Sequence, residues 1–393
     1  MTNRHLLGAE PNGSTGELGP NVEWMETPTT LATPPPRQEK EPASDEILEV
    51  APNVLRLQLP IALPGLAHIN TYLIEDGDGV AVVDPGLPGT PSWKALLDRL
   101  KRASVPVTRI HTIYITHSHP DHFGNAGKLA EEADAMLITH SAFQTMYTPL
   151  HNCTMDDCDD VEHAHADRGQ EPLPTEENRQ HLGMKTPWGG AVWDPRAQDP
   201  ELNKHGTVFL SDHGWPMPKP SKRVRNNDVV RLANREWRAV HTPGHTLDHL
   251  CLWDPENGTL ISGDHILPTI TPHISGIGTG RDPLASFFTS LDHCASLPGI
   301  KRALPAHGHP LDNVAVRVSE IKEHHAERLR VLARVSQAVG STTVEEYSHY
   351  LFRQQVWGSM AESETYAHLE HLHQIGEASR SVDSEGVVRF RIP

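Results

Sequence analysis

Long apolar runs are missing from this chain. No stretch of roughly 18 consecutive apolar residues occurs anywhere, which excludes a transmembrane helix. Cysteine is scarce, with 4 in 393 residues, too few for a disulfide scaffold in a chain of this length. Aromatic residues make up 5% and apolar residues 37%, below the globular norm. Glycine and proline are plentiful, 29 and 33, so part of the chain is expected to remain unpacked. Positive charge is short: 34 Lys and Arg face 51 Asp and Glu, for a net charge of -17. Such a balance gives no global footprint for nucleic acid or an anionic membrane surface and leaves room only for a local basic patch. The opening MTNRHLLGAEPNGSTG has no apolar signal core, and the expectation is a cytoplasmic protein. What the chain has in excess is histidine, 27 residues, the commonest metal ligand.

The organisation follows from composition and periodicity. Residues 1–45 carry little apolar content, and TPTTLATPPPRQEKEPAS reads as a disordered arm. From Ile47 onward short β-branched segments, LEVAPNVLRLQLP, HINTYLIE and GVAVVDPG, read as strands punctuated by Gly, Pro and Asp. A helix is expected over Ser92–Arg102, a strand over His111–Thr116, a helix over Gly124–Ala133 and a strand over Ala135–His140. This alternation is an α/β class with helices covering sheets. Periodicity fails over 148–222, which reads as an insertion or lid. Strands resume at DVVRLANREWRAVHTPG and HLCLWDPENGTLISGDHIL, followed by a helix over Pro283–Leu297 and the strand RALPAHG. Residues 316–393 change character. A long amphipathic helix is expected over Val314–Val339, a second after a Thr342 or Thr343 cap, and a third capped by Ser363 with Tyr366, Leu369, Leu372 and Ile375 inward. A terminal hairpin completes the order of a winged-helix domain.

The strongest chemical signal is ITHSHPDHFGNAG. It places His117, His119, Asp121 and His122 within six residues at the end of an apolar strand. Three imidazoles and a carboxylate at that spacing suit a metal pair ringed from a loop. The competing reading, a solvated histidine-rich loop, does not account for so tight a ligand pattern. Gly124 and Gly127 are expected to let the backbone turn into the next helix. Later strands end the same way: His241, His245, Asp248 and His249 in VHTPGHTLDH, Asp264 and His265 in SGDH, His307 and His309 in PAHGH. Loops at one scaffold edge are where sites are built.

The ordered set Asp84 (VVDPG), HSHPDH, His245 (TPGHT), Asp264 (SGDH) and His307 (PAHG) resembles the five motifs of the metallo-β-lactamase fold hydrolases, over residues 46–315 apart from the 148–222 insertion. The resemblance implies an αββα four-layer sandwich with a dinuclear metal site on one edge. By position, His117, His119 and His245 would hold one metal, and Asp121, His122 and His307 the other. Asp264 would bridge both, and Asp84 would support the ligands from behind. Asp248 and His249 are the further candidates for such support, whereas His241, His265 and His309 fall outside the motif positions. Imidazoles and carboxylates without a thiolate suit two divalent ions, zinc first, with iron or manganese as alternatives. The bridging Asp264 resembles the glyoxalase II and ribonuclease Z side of the superfamily. Its implied chemistry is hydrolysis by a hydroxide on the metal pair, with Asp121 as the proton acceptor and His273 as a candidate proton donor.

The motifs set the reaction type and leave the substrate open. TPGHTLDH, SGDHILPTITPH and the winged-helix order resemble the lactamase-β-like endoribonucleases and their bacterial relatives, so two enzyme readings stand. One is hydrolysis of a small ester, thioester or lactone, and the other is cleavage of single-stranded RNA. A non-enzymatic metal-binding regulator is the third reading, disfavoured by a full ligand set. Between Glu362 and Ala378 there is no Lys or Arg, which favours a small-molecule substrate and a structural or homodimer role for the C-terminal region. In the insertion, Cys153, Cys158, His163 and His165 could bind a further metal, but their spacing is loose. An acidic solvated loop is the preferred reading there. Trp188, Trp193 and Trp215 are candidates to line a pocket.

Overall fold

The computed structural model describes residues 37–63, 65–77, 79–145, 186–189 and 215–393. Strands β1 (Leu48–Ala51), β2 (Val54–Leu63), β3 (Leu66–Glu75), β4 (Val80–Val83), β5 (Ile110–Tyr114), β6 (Met136–His140) and β7 (Lys222–Val224) form one sheet in sequence order. It is antiparallel through β4 and parallel from there to β7. A second sheet, in the order β12-β11-β10-β9-β8, contains β8 (Val229–Leu232), β9 (Arg235–His241), β10 (Leu250–Asp254), β11 (Thr259–Gly263) and β12 (Arg302–Pro305). Here only β11 and β12 run parallel.

Period-2 alternation in the strands sorts the side chains into layers. Val80 and Val82 of β4 pack outward, with α1 (Thr90–Arg102) and α3 (Ala126–Ala133) supplying Trp93, Leu96, Leu100 and Leu129; the single turn α2 (Pro120–Phe123) lies between them in the chain. Ala81 and Val83 point the other way and meet Trp237, Ala239, Leu250, Leu252, Ile261 and Leu304 of the second sheet. The alternate residues of that sheet, Val240, Cys251, Trp253, Leu260 and Ala303, pack on α4 (Pro283–Ala295) and α5 (Val314–Val339). The layers therefore run helix, sheet, sheet, helix. Trp237 is the largest fully buried side chain and donates its Nε1 to Leu232 O at 3.2 Å. Truncating it to Ala would cost about 3–5 kcal/mol.

After α5 come α6 (Val344–Leu351) and α7 (Ser359–Gln374), with a third sheet of β13 (Thr342–Thr343), β14 (Ser379–Val382) and β15 (Val388–Arg391) in the order β13-β15-β14. Thr343 caps α6 by accepting from Glu346 N at 3.2 Å. Leu332, Tyr347, Leu369 and Phe390 form the core of this region. Among the described residues no helix is long and apolar enough to cross a membrane.

Three expectations change. α7 begins at Ser359, so Ser363 lies inside it rather than capping it, and Ile375 is exposed beyond its end. Part of residues 37–45, which composition places in the unpacked arm, packs against the fold. Glu39 is buried and accepts from Thr269 Oγ1 at 2.7 Å, and Gln38 Oε1 accepts from His309 N at 2.9 Å. Gly124 and Gly127 do not serve as left-handed turn residues. Their role is space, since a Cβ would come within 2.2 Å of Pro88 and of Pro216 O respectively.

Candidate metal centre

Five strands deliver the motif residues to one edge. β4 leads into Asp84, β5 into 117–122, β9 into His245, β11 into Asp264 and β12 into His307. β4 and β5 run parallel, as do β11 and β12, and β9 shares the direction of β11 because both are antiparallel to β10. Their C-terminal ends therefore converge from both sheets. Leu250 N to Thr116 O at 2.7 Å and Asn70 N to Ala306 O at 2.7 Å stitch the two sheets at this edge.

Two groups of metal-competent atoms result. His117, His119, His245 and Asp264 form one, and Asp121, His122 and His307 the other, with the atoms of each group within 4.8 Å of one another. His119 Nδ1 lies 3.0 Å from both His117 Nε2 and His245 Nε2. Asp264 Oδ2 is 3.6 Å from His245 Nε2 and from His122 Nε2, and Asp264 Oδ1 is 3.4 Å from His307 Nε2. Asp121 Oδ2 is 3.6 Å from His122 Nε2 and 3.5 Å from His307 Nε2. Ligands on a tetrahedral ion with bonds near 2.05 Å are separated by roughly 3.3 Å. Moreover His122 Nε2, His307 Nε2 and Asp264 Oδ1 are buried without a hydrogen-bond partner. Orphaned polar atoms are costly in a protein interior, so this donor set fits metal ions.

The outer nitrogens are fixed. His122 Nδ1 donates to Asp84 Oδ2 at 2.8 Å, His117 Nδ1 to Thr116 Oγ1 at 3.0 Å, His245 Nδ1 to His273 O at 2.6 Å and His307 Nδ1 to His68 O at 2.8 Å. Each bond sets a tautomer that turns an Nε2 lone pair toward the centre. Asp84 also accepts from Thr116 N at 2.8 Å and Thr116 Oγ1 at 2.7 Å. It sits at φ 52, a left-handed conformation rare for a non-glycine residue.

Electrostatics divide the site. Burial and the neighbouring imidazoles hold His117 well below the ordinary histidine value, and burial with His245 pushes His119 down to about 3. His245 is lowered by burial as well. On the other side burial opposes the charged form, but Asp121, Asp264 and Asp84 override it and raise His122. His307 is raised against burial by Asp264 and Asp121. Burial would likewise raise the two carboxyls, yet His122 and His307 hold Asp121 and Asp264 below the usual carboxylate range.

The other sequence candidates lie outside the two groups. Asp248 accepts from Ser118 Oγ at 3.0 Å rather than from an imidazole of the cluster. His249 accepts from Asp264 N at 3.1 Å and bonds Thr242 Oγ1 at 2.7 Å, so it supports the Asp264 backbone. His241 stacks on His140 at 4.0 Å, His265 packs edge-on against Phe287, and His309 pairs with Glu41 at 2.7 Å. Trp188 is buried against Tyr366 as a core residue, and the half-buried Trp215 packs edge-on against Trp93 at the margin of the first core. Trp193, Cys153, Cys158, His163 and His165 lie outside the described residues.

One cluster went unread in the sequence: His325 of α5 with Glu364 and His368 of α7. The stripe Val318, Ile321, Leu332 places His325 on the inward face, which was the available signal. His368 Nδ1 donates to Glu364 O at 2.7 Å, and His325 Nδ1 lies 3.0 Å from His368 Nε2. The Glu364 carboxylate is already ion-paired with Arg328, so a cation there would have no unneutralised carboxylate.

Comparison with known proteins agrees with this geometry. The Metallo-beta-lactamase superfamily profile matches residues 64–339. A crystal structure of a beta-lactamase domain protein from Burkholderia ambifaria is 27% identical, covering 91% of this chain and 97% of that one at a TM-score of 0.65. A metallo-beta-lactamase family protein from Thermus thermophilus is 25% identical, covering 88% and 100% at a TM-score of 0.64. The lactamase-like protein vrtG of Penicillium aethiopicum is 25% identical over 289 residues, 73% of this chain but only 66% of that protein's length. With the layered sheets, the five convergent strand ends and the clustered imidazoles and carboxylates, the chain belongs to the metallo-β-lactamase superfamily, as a hydrolase of that fold.

Proposed function

We propose that this protein holds two divalent metal ions and hydrolyses a small ester, thioester or lactone. The observation that supports it is the convergence of four Nε2 atoms, His119 Nδ1 and two carboxylates at ligand spacing, with the outer imidazole nitrogens already engaged. His117, His119 and His245 would hold one ion, Asp121, His122 and His307 the other, and Asp264 would touch both. Zinc fits imidazoles and carboxylates without thiolate, and iron or manganese fit nearly as well. Bound ions supply Lewis acidity that polarises a carbonyl oxygen and makes a water acidic near neutral pH.

The remaining work falls to the chain. A carboxylate oxygen of Asp121 takes the proton of the attacking water. Asp84, Thr116, His68 and His273 keep the imidazoles oriented. The order of α5, α6, α7 and the β14–β15 hairpin reads as a winged helix. Its third helix, α7, has no Lys or Arg, and every residue from Ser363 to Glu370 is buried. A helix so placed offers little surface and no cationic side chain to a phosphate backbone, which favours a small substrate over RNA.

The test is turnover of a thioester, a lactone, a β-lactam and a single-stranded RNA by one purified sample of known metal content. Carbonyl cleavage with about two ions per chain supports the reading. RNA cleavage that disappears in Asp121→Ala overturns it.

A further inference from the structure

The loop between β11 and α4 carries His273, whose backbone carbonyl holds His245 Nδ1 at 2.6 Å. α7 grips this loop at two places. Near its start, Ser363 Oγ accepts from Gly276 N at 2.9 Å, and Glu364 Oε2 lies 3.4 Å from His273 Nδ1. Further along the helix, His371 Nδ1 contacts both carboxylate oxygens of Asp282 at 3.0 and 3.1 Å, and Asp282 caps α4 through Ala285 N. The approach is close: a Cβ on Gly276 would lie 2.7 Å from Ser363 O. Behind Glu364 stands Arg328 of α5. An unbroken chain of contacts thus runs Arg328, Glu364, His273, His245, from the C-terminal helices to the metal-competent cluster.

We infer that Glu364 is a positioning residue: through His273 it fixes the orientation of the His245 imidazole and so sets the metal affinity of the His117–His119–His245 group. The inference rests on the two-metal reading above. It assigns α7 a task inside the site, since its polar residues in the first turns, Ser363 and Glu364, are spent on the loop that shapes a ligand. A carboxylate can do this because its two oxygens divide the work, one toward the Arg328 guanidinium and one toward the His273 ring. Glu364 is buried, 7% exposed, between the half-buried Arg328 and His273, so solvent competes little for its carboxylate. Metal ligands held by such outer partners typically lose 10–100-fold in affinity when the partner is removed.

The experiment is cobalt(II) titration of the metal-free full-length chain, followed by equilibrium dialysis and the visible ligand-field spectrum. Wild type, Glu364→Ala, Glu364→Gln and His273→Ala are compared, each first checked for wild-type circular dichroism. His273→Ala keeps the Arg328–Glu364 ion pair and the residue 273 carbonyl, so it remains informative if Glu364→Ala fails to fold. We expect two ions in the wild type. In Glu364→Ala and His273→Ala one of the two should bind about 10–100-fold more weakly with an altered spectrum, the other being unchanged. Glu364→Gln, which keeps an acceptor oxygen, should recover most of the loss. Equal affinities and identical spectra in all four proteins overturn the positioning role and leave the two-metal reading standing. A wild type that takes up no cobalt overturns both. Uptake of three ions, one of them lost in Glu364→Ala, also overturns the positioning role, because Glu364 would then belong to a site of its own with His325 and His368.

Discussion

The Asp84 carboxylate receives His122 Nδ1 at 2.8 Å while the same side chain ties down both the amide and the hydroxyl of Thr116. Three hydrogen bonds thereby hold a residue at φ 52, where an L side chain is strained. Strain of that kind persists only when its surroundings over-determine it. Asp84→Asn keeps the shape but loses the charge that polarises His122. Metal affinity of the Asp121–His122–His307 group should fall about 10–100-fold, and that of the His117 group less, since Asp84 reaches His117 only through Thr116. Isothermal titration with zinc checks this, and equal affinity in both proteins would remove Asp84 from the site.

Asp121→Ala separates chemistry from folding. The carboxylate is buried and faces His122 and His307 at 3.6 and 3.5 Å, so its contacts are with the other ligands rather than with the sheets. Turnover of whichever carbonyl substrate the wild type cleaves should fall at least about 100-fold, with the thermal midpoint within a few degrees of wild type. Undiminished turnover would sink the assignment of Asp121 as proton acceptor.

Metal uptake should be a proton-releasing step. Without an ion, burial opposes the charged form, but the Asp121 and Asp264 carboxylates raise His122 well above the ordinary histidine value and His307 above it, which favours their protonated forms. An ion needs their neutral forms. The sign follows: as pH falls, protons compete more strongly and affinity drops. Zinc added to metal-free protein at pH 7 in weak buffer should liberate protons, read with an indicator dye. Binding without release would mean that the imidazoles were neutral beforehand.

Asp248 offers a stability test beside the metal groups rather than within them. Burial pushes its carboxyl up to about 6, with hydrogen bonds including that from Ser118 only partly offsetting the effect. In the unfolded chain the group titrates near 3.9. Between those values the folded state holds a proton that the unfolded state has lost, so stability declines as pH rises through this window. Asp248→Asn removes the penalty. Its stability relative to wild type should improve by on the order of 2 kcal/mol between pH 4.5 and pH 8, measured by urea denaturation. A pH-independent difference would mean that Asp248 is ionised at no cost.

Much of the fold was legible because the strands alternate cleanly. Val80 to Val83 send successive side chains to opposite layers, and α5 spans the residues its apolar stripe marks. The strand ends marked a wider set, His241, Asp248, His249, His265 and His309 included, and the seven residues that the structure groups stood out from it only through the resemblance to the family motifs. Other features were hidden for physical reasons. Ser363 looks like a cap, but tertiary contact with Gly276 draws it into the helix interior. Gly124 and Gly127 look like turn residues, whereas their requirement is the close approach of Pro88 and Pro216 from elsewhere in the chain. The packing of Gln38 and Glu39 against His309 and Thr269 depends on partners more than two hundred residues away, which local composition does not encode.

The convergence of strand ends from both sheets has a kinetic consequence. The metal-competent residues are scattered from His117 to His307, and three of them come from the second sheet while four come from the loop after β5 in the first. Contacts of such long sequence separation form late in folding. An ion therefore has no complete site to enter until the two sheets have docked, and it favours only the state in which they have. The metal pair would act as a latch on the finished sandwich, and chelation should speed its unfolding more than it slows its folding.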